Sequence, residues 1–251
     1  MVITSISNEK VKFFRALREA AFRKENNCFL VEGANSVKDI PSTATVRSLY
    51  VKESKQDAFK DILSRFDAEV VTLSDELFDR VSDTVSPIGI AAVVEKEKPS
   101  DISELFANKI IVLDHVADAG NVGAVLRTAV AAGYEQAVFI GSADPYSPKA
   151  VRASMSAIFK IRPVFCDIHS FLCSKNINLY DIIILDMSGE DIFDVETKGK
   201  FALVVGNEAH GVSDEFAEVG KVVSIPMQSM ESLNAAVSAG IAMYVLGRNK
   251  R

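Results

Sequence analysis

The chain has 251 residues, 48% hydrophobic and 25% charged, a balance that allows one or two globular domains with sizeable cores. No apolar stretch approaches the roughly 20 residues needed to span a bilayer, and the N-terminus shows no continuous apolar segment before a small-residue cleavage site, so neither a membrane span nor a secretion signal is expected. The net charge of −6 argues against nucleic-acid binding by the surface at large but leaves room for a local basic patch.

Residues 5–25 read as a helix, with Phe13, Phe14, Leu17 and Ala21 on its apolar face. Residues 1–31 carry Lys10, Lys12, Arg15, Arg18, Arg23 and Lys24 against only Glu9, Glu19 and Glu25. That excess fits first a solvated face of an amphipathic helix, and otherwise a local basic patch for nucleic acid. Strands are expected at 28–31, 46–51, 69–73 and 88–94, with helices at 32–40, 53–65 and 74–80. Residues 1–94 thus form a small alternating α/β domain. The stretch Glu95-Lys96-Glu97-Lys98-Pro99-Ser100-Asp101 is charged, contains proline and lacks apolar periodicity. It marks a linker over 95–108, followed by a second domain over 109–251.

The second domain alternates regularly. Strands are expected at 109–115, 137–140, 161–165, 182–186, 201–205 and 221–225. Helices are expected at 122–132, 149–158, 212–219 and 232–246, the first stopping at Gly133 and the second starting near Pro148. Strands apolar throughout and alternating with helices predict an α/β fold with a parallel sheet covered on both faces. Cys28, Cys166 and Cys173 form no CxxC pair, which predicts reduced, buried thiols in a cytoplasmic protein.

In open α/β sheets, ligands bind beyond the carboxyl ends of the strands. Three such ends are rich in glycine and polar residues. The first is Asp118-Ala119-Gly120-Asn121-Val122-Gly123. There Asn121 can cap the helix, and Arg127, one turn inside, suits either an anion at the helix start or a surface salt bridge. The second runs from Gly206 to Gly211, where Glu208 is a base, an orienting carboxylate or a cap. The third runs from Pro226 to Asn234, with Ser232 at a natural N-cap position and Asn234, a poor helix former, in the first turn. No metal motif, nucleophile elbow or phosphate loop accompanies them, and the GxGxxG of a nicotinamide-dependent oxidoreductase is absent.

Three motifs occur in order: Asn121-x-Gly123-x-x-x-Arg127-Thr128-Ala129, then Gly206-Asn207-Glu208-x-x-Gly211, then Ile225-Pro226-Met227 with Ser232-Leu233-Asn234. Over residues 109–247 the chain resembles the SpoU/TrmH family of RNA ribose 2′-O-methyltransferases, within the SPOUT superfamily. Phe29-Leu30-Val31-Glu32-Gly33 resembles the start of the N-terminal substrate-binding domain of its RlmB-like members. The chain departs from the family pattern at Ala119, where proline is common, and at Ser156, where glycine is common.

The resemblance implies a trefoil-knotted C-terminal domain, a homodimer with the active site at its interface, and S-adenosylmethionine as methyl donor without a metal. It assigns Gly206, Asn207, Ile225, Met227 and Leu233 to the donor. It assigns Arg127, Asn121, Glu208, Ser232 and Asn234 to catalysis. RNA would be held by Lys10, Lys12, Arg15 and Arg18, and by Lys149 and Arg152 beside the knotted domain. The implied reaction is 2′-O-methylation of structured RNA, with large-subunit (23S-type) ribosomal RNA favoured by the N-terminal domain. Transfer RNA as substrate, and a non-catalytic RNA-binding or ribosome-assembly protein that kept the fold, are the alternatives.

Overall fold

The structure is a computed structural model, described over residues 1–229 and 232–248. It divides into two compact units, one comprising Met1–Lys98 with Tyr146–Ser156, the other Pro99–Pro145 with Ala157–Arg251.

The first unit is built on a five-stranded sheet of β1 (Val2–Ile3), β2 (Cys28–Glu32), β3 (Val46–Lys52), β4 (Glu69–Leu73) and β5 (Ile90–Glu95), in the order β1-β4-β3-β5-β2. β5 runs antiparallel to both β2 and β3, and the β1–β4 and β3–β4 pairs are parallel. Helices α1 (Glu9–Ala16), α2 (Ala20–Glu25), α3 (Ala34–Lys38), α4 (Lys60–Leu63) and α5 (Asp75–Val81) complete the α/β pattern. Val11, Phe14, Leu17, Tyr50 and Phe78 pack in one core against the sheet.

The helix expected at 5–25 is broken in two. Arg23, 2% exposed, turns back and donates from Nη1 to the carbonyls of Leu17 (2.9 Å) and Arg18 (2.6 Å). A buried guanidinium thereby satisfies carbonyls that the end of α1 leaves open. The helix Pro148–Ser154 also belongs to this unit, where it packs on β2.

The second unit holds a six-stranded sheet in the order β11-β9-β10-β6-β7-β8. Its strands are β6 (Lys109–Asp114), β7 (Gln136–Ile140), β8 (Arg162–Phe165), β9 (Asp181–Asp191), β10 (Phe201–Val205) and β11 (Lys221–Ser224). Every pairing is parallel, as the unbroken apolar runs predict. Its helices are α6 (Ala119–Ala131), α8 (Ile168–Leu172), α9 (Asp214–Ala217) and α10 (Ala235–Gly247), α7 being the Pro148–Ser154 helix of the first unit. α10 packs along α6.

β9 is longer than the strand expected at 182–186. Its register with β11 shifts between Val222 and Val223, and Gly189 lies so close that a Cβ there would be 2.4 Å from the Val223 backbone nitrogen. Residues 99–108 are anchored rather than loose. Ser100 bridges Val164, and buried Gln136 accepts from the Phe106 (2.8 Å) and Ala107 (3.0 Å) amides. That buried amide has both its ends paired, since Nε2 donates to the Glu104 carbonyl at 3.3 Å.

Among the described residues no helix is long and apolar enough to cross a membrane. The cysteines are not uniformly buried: Cys28 is buried, Cys166 half-buried and Cys173 exposed. Burial pushes the Cys166 thiol up to about 11, which leaves it a poor nucleophile.

Candidate active site

β10 is the strand Phe-Ala-Leu-Val-Val, buried along its whole length between β9 and β6. It ends at Gly206, and here the backbone turns against itself. A Cβ on Gly206 would lie 2.3 Å from the carbonyl carbon and oxygen of Gly211. The Asn207 amide donates to the Gly211 carbonyl (2.8 Å), and the Gly211 amide returns the bond (2.9 Å). Gly211 sits at φ +74, a conformation open to glycine without penalty.

Asn207 holds this loop by its side chain. Its Oδ1 accepts from the Ala209 (2.8 Å) and His210 (3.2 Å) amides, and its Nδ2 donates to the His115 carbonyl at 2.8 Å. The far end is fixed by the Ser213 amide, which donates to Asp114 Oδ2 at 2.7 Å.

Beside the loop lies a cavity of ≈ 310 Å³, within the range of about 300–1,000 Å³ usual for small-molecule sites. All five residues expected to hold the donor line it: Gly206, Asn207, Ile225, Met227 and Leu233. Glu208 and Ser232 line it too. The sequence reading missed Leu185, Asp186 and Met187, which complete the wall. The signal was present, since an acidic residue followed the apolar run of β9, but the third strand end could be placed beside the other two only by the sheet order. Asp186 Oδ1 accepts from the Ser188 amide (2.9 Å) and hydroxyl (2.7 Å). The described lining carries two carboxylates, Asp186 and Glu208, and no lysine or arginine.

A second set of side chains joins in a polar chain. Asn234 Nδ2 donates to Asn121 Oδ1 at 3.0 Å, and Asn121 Nδ2 donates to Glu208 Oε1 at 2.7 Å. Residues 87 and 113 positions apart in sequence are thus linked by two hydrogen bonds. Asn234, not Ser232, caps the last helix. Its Oδ1 accepts from the Ala236 (3.0 Å) and Val237 (3.3 Å) amides, and α10 begins at Ala235. Ser232 is exposed at the cavity instead.

Asn234→Ala therefore removes a cap and the far end of the polar chain together. It is expected to cost about 1 kcal/mol of stability, read by denaturant unfolding, and to lower turnover beyond that; normal turnover in the folded variant would detach the chain from catalysis.

Asp118, not Asn121, caps α6, accepting from the Asn121 amide at 2.9 Å. The helix consequently starts at Ala119, three residues earlier than the apolar periodicity suggested. Ala119 occupies the first helical position, where proline and alanine are both accommodated, so this departure from the family pattern leaves the turn firmly closed. Arg127 then lies eight residues into α6, roughly 12 Å along its axis, too far for the helix start to act on it. It is exposed and makes no hydrogen bond or ion pair with the described residues. It is not part of the Asn234–Asn121–Glu208 chain. At the second departure, Ser156 is buried at φ +70, a backbone conformation that glycine adopts more easily.

The basic residues expected to meet RNA divide in two. Lys10 pairs with Glu69 and Lys12 with Glu9, at exposed positions, and Arg15 is exposed with no pairing to the described residues. Such surface pairs are weak and leave the cations open to exchange. Arg18 and Arg152 are employed in structure. Arg18 donates to the Val81 carbonyl (2.6 Å) and lies 3.8 Å from Asp83, whose other oxygen pairs with Arg152 at 2.7 Å. Lys149 is exposed on α7. Lys149 and Arg152 belong to the first unit, with the rest of Tyr146–Ser156.

A parallel α/β sheet with a loop-built cavity and an Asn–Asn–Glu chain at its strand ends defines a small-molecule site of an α/β protein. Residues 108–244 match the model of the SpoU rRNA methylase family, and residues 8–92 that of an MRM3-like substrate-binding domain. The chain belongs to the SpoU rRNA methylase family, and it is an RNA methyltransferase.

Among its relatives is the Bacillus subtilis 23S rRNA (guanosine(2553)-2′-O)-methyltransferase RlmP, 30% identical over 97% of this chain and 98% of that one. The structure of a putative RNA methyltransferase of the TrmH family from Porphyromonas gingivalis superposes with a TM-score of 0.82 at 29% identity, covering 96% of this chain and 98% of that one. An AdoMet-bound rRNA methyltransferase from Sinorhizobium meliloti shares the fold, with a TM-score of 0.86 at 24% identity over 98% of this chain and 96% of that one.

Proposed function

We propose that the protein transfers the methyl group of S-adenosylmethionine to a ribose 2′-hydroxyl of large-subunit ribosomal RNA. The single observation that carries the donor is the cavity itself: five family-motif positions meet there, and its described lining is acidic without a compensating cation. A phosphate-bearing cofactor would be repelled, whereas a ligand with a sulfonium and an ammonium group is attracted. The relative that acts on 23S rRNA matches nearly end to end, first unit included, which supports ribosomal over transfer RNA.

When bound, the donor supplies an electrophilic methyl group on a good sulfide leaving group. The protein's task is to align the 2′-hydroxyl and manage its proton. The loop at Gly206–Gly211 fixes the donor cavity by backbone bonds, so alignment depends little on rotamers. Glu208 is held by Asn121 through Oε1, and its Oε2 accepts nothing from the described residues. That free oxygen, or a phosphate oxygen of the RNA, takes the hydroxyl proton as the C–O bond forms. Arg127 stays protonated and stabilises the charge developing on the 2′-oxygen while gripping the neighbouring phosphate.

The active site is completed in a homodimer, and the C-terminal domain closes as a trefoil knot. Val237 (52% exposed) and Tyr244 (57% exposed) lie with Ala124, Thr128 and Ile241 along a groove between α6 and α10, an apolar face that a second copy would cover. Arg127 is exposed on that same α6 with no partner among the described residues, as a residue serving across an interface would be. The knot is supported by strand order: the chain passes from β10 beyond β9 to form β11, then returns to pack α10 on α6.

Boundaries at 1–94 and 109–251, an RNA-binding role for the first unit and a cytoplasmic location complete the proposal. For the RNA contact, Arg15→Glu with Lys12→Glu is expected to lower RNA affinity about tenfold or more at low salt and to flatten its salt dependence, with donor affinity unchanged. Unaltered RNA affinity would remove α1 from the interface. The function itself is tested by incubating ribosomal RNA from cells lacking the protein with purified protein and methyl-labelled donor. Label should appear in alkali-resistant dinucleotides; label in alkali-sensitive nucleotides would place the methyl group elsewhere.

A further inference from the structure

A second cleft, of ≈ 500 Å³, adjoins the Gly206–Gly211 loop. Asn207, His210 and Gly211 line both this cleft and the donor cavity, so the two share one loop. The remaining wall includes His115, Gly141, Asp214 and Glu215.

His115 is the unusual residue here. It follows β6 at φ +54, a left-handed conformation that is unfavourable for a bulky side chain. Its ring is pinned on two sides. Nδ1 lies 2.7 Å from Oδ1 of Asp114, whose side chain is 1% exposed and whose other oxygen is taken by the Ser213 amide. The ring also rests on Gly141, where any Cβ would come within 2.5 Å of it. A buried carboxylate, a strained backbone and an obligatory glycine thus combine to hold one imidazole that remains 57% exposed. Local strain of this kind concentrates at functional sites, and the methyl-transfer mechanism does not use this ring.

We propose that this cleft receives a base of the RNA substrate, at or beside the methylated nucleotide, stacked near His115 and read by hydrogen-bond acceptors. Imidazole rings serve as stacking surfaces for unpaired bases. Nδ1 faces the Asp114 carboxylate, so the ring in its neutral form presents Nε2 as an acceptor. Asp214 and Glu215 add exposed carboxylates, and among the described residues no lysine or arginine lines the cleft. A phosphate is disfavoured there, and a base edge rich in N–H donors is favoured. Guanine, with N1–H and a 2-amino group side by side, matches a carboxylate best; uracil offers a single N–H. The inference rests on the RNA methyltransferase reading and adds which part of the RNA is recognised.

The chain has three histidines, which makes imidazole NMR a direct test. Guanosine, inosine and uridine 5′-monophosphates are titrated in turn into the full-length protein. The expected result is a saturable shift of the His115 and His210 signals, with His169, on α8, unmoved, and tighter binding of the guanosine nucleotide than of the other two. His115→Gly removes the ring at a position where glycine adopts the backbone freely, and should abolish the His210 response without loss of fold. No shift of His115 and His210, or equal binding of all three nucleotides, would overturn the proposal. Calorimetry with S-adenosylmethionine on the same sample separates the two readings. Donor binding without nucleotide shifts rejects the base pocket alone, whereas loss of donor binding rejects the methyltransferase site as well.

Discussion

Arg127→Lys is expected to lower kcat by about a hundredfold or more while leaving donor affinity unchanged. Arg127 is exposed on α6, outside the Asn234–Asn121–Glu208 chain, so its replacement disturbs no contact that shapes the donor cavity. Lysine keeps the positive charge but loses the planar fork that grips a phosphate and the developing oxyanion together. Single-turnover kinetics with saturating RNA reads the chemical step directly. Near-normal turnover would show that a point charge suffices and would sink the fork-based role. A rate that recovers steeply with rising pH would point instead to the residue at this position acting as a base, because lysine can lose its proton and arginine cannot.

Gly206→Ala is expected to abolish measurable donor binding, a loss of at least about a hundredfold, or roughly 3 kcal/mol. The added Cβ would stand 2.3 Å from the Gly211 carbonyl and 2.4 Å from the Val212 nitrogen. These are backbone atoms, so no side chain can swing away. The Asn207–Gly211 pairing must open, and with it the wall of the cavity. Overpacking of this kind also costs about 1–3 kcal/mol of stability, so calorimetric binding should be read below the unfolding transition. Gly199→Ala is the control, since a Cβ there meets nothing within 4 Å. Donor binding by Gly206→Ala equal to that of the control would mean that the loop is not the donor's wall.

Much of the second unit was legible in the sequence because its central strands, β6, β7 and β10, are buried along nearly their whole length. Their apolar runs marked a parallel sheet, and glycine-rich ends marked the loops. Helix starts were less legible, for a shared reason. Asp118 and Asn234 cap through side chains three and two or three residues upstream of the amides they hold, so each true start was displaced from the one that apolar spacing suggested. For Arg127 this mattered: with α6 lengthened, the helix-start argument for an anion falls away, and its role rests on exposure and family likeness.

The motifs pointed to Gly206, Asn207, Ile225, Met227 and Leu233, which line the cavity, but not to Asp186, because strand order, not sequence order, brings β9 beside β10. The first unit shows the complementary limit. Arg23 reads as one more surface cation, yet it is buried and ties off the end of α1. Helix Pro148–Ser154 lies within the sequence of the second domain but packs on β2 of the first unit. Spacing along a chain cannot reveal either long-range choice.

The central claim is that this chain methylates a ribose 2′-hydroxyl in large-subunit ribosomal RNA. A transcriptome-wide map of 2′-O-methyl sites, from cells with and without the protein, tests it most directly. The account predicts the disappearance of a 2′-O-methyl group from large-subunit ribosomal RNA, restored by the wild-type chain and not by Arg127→Ala. An unchanged map, or a site lost only from transfer RNA, would contradict it.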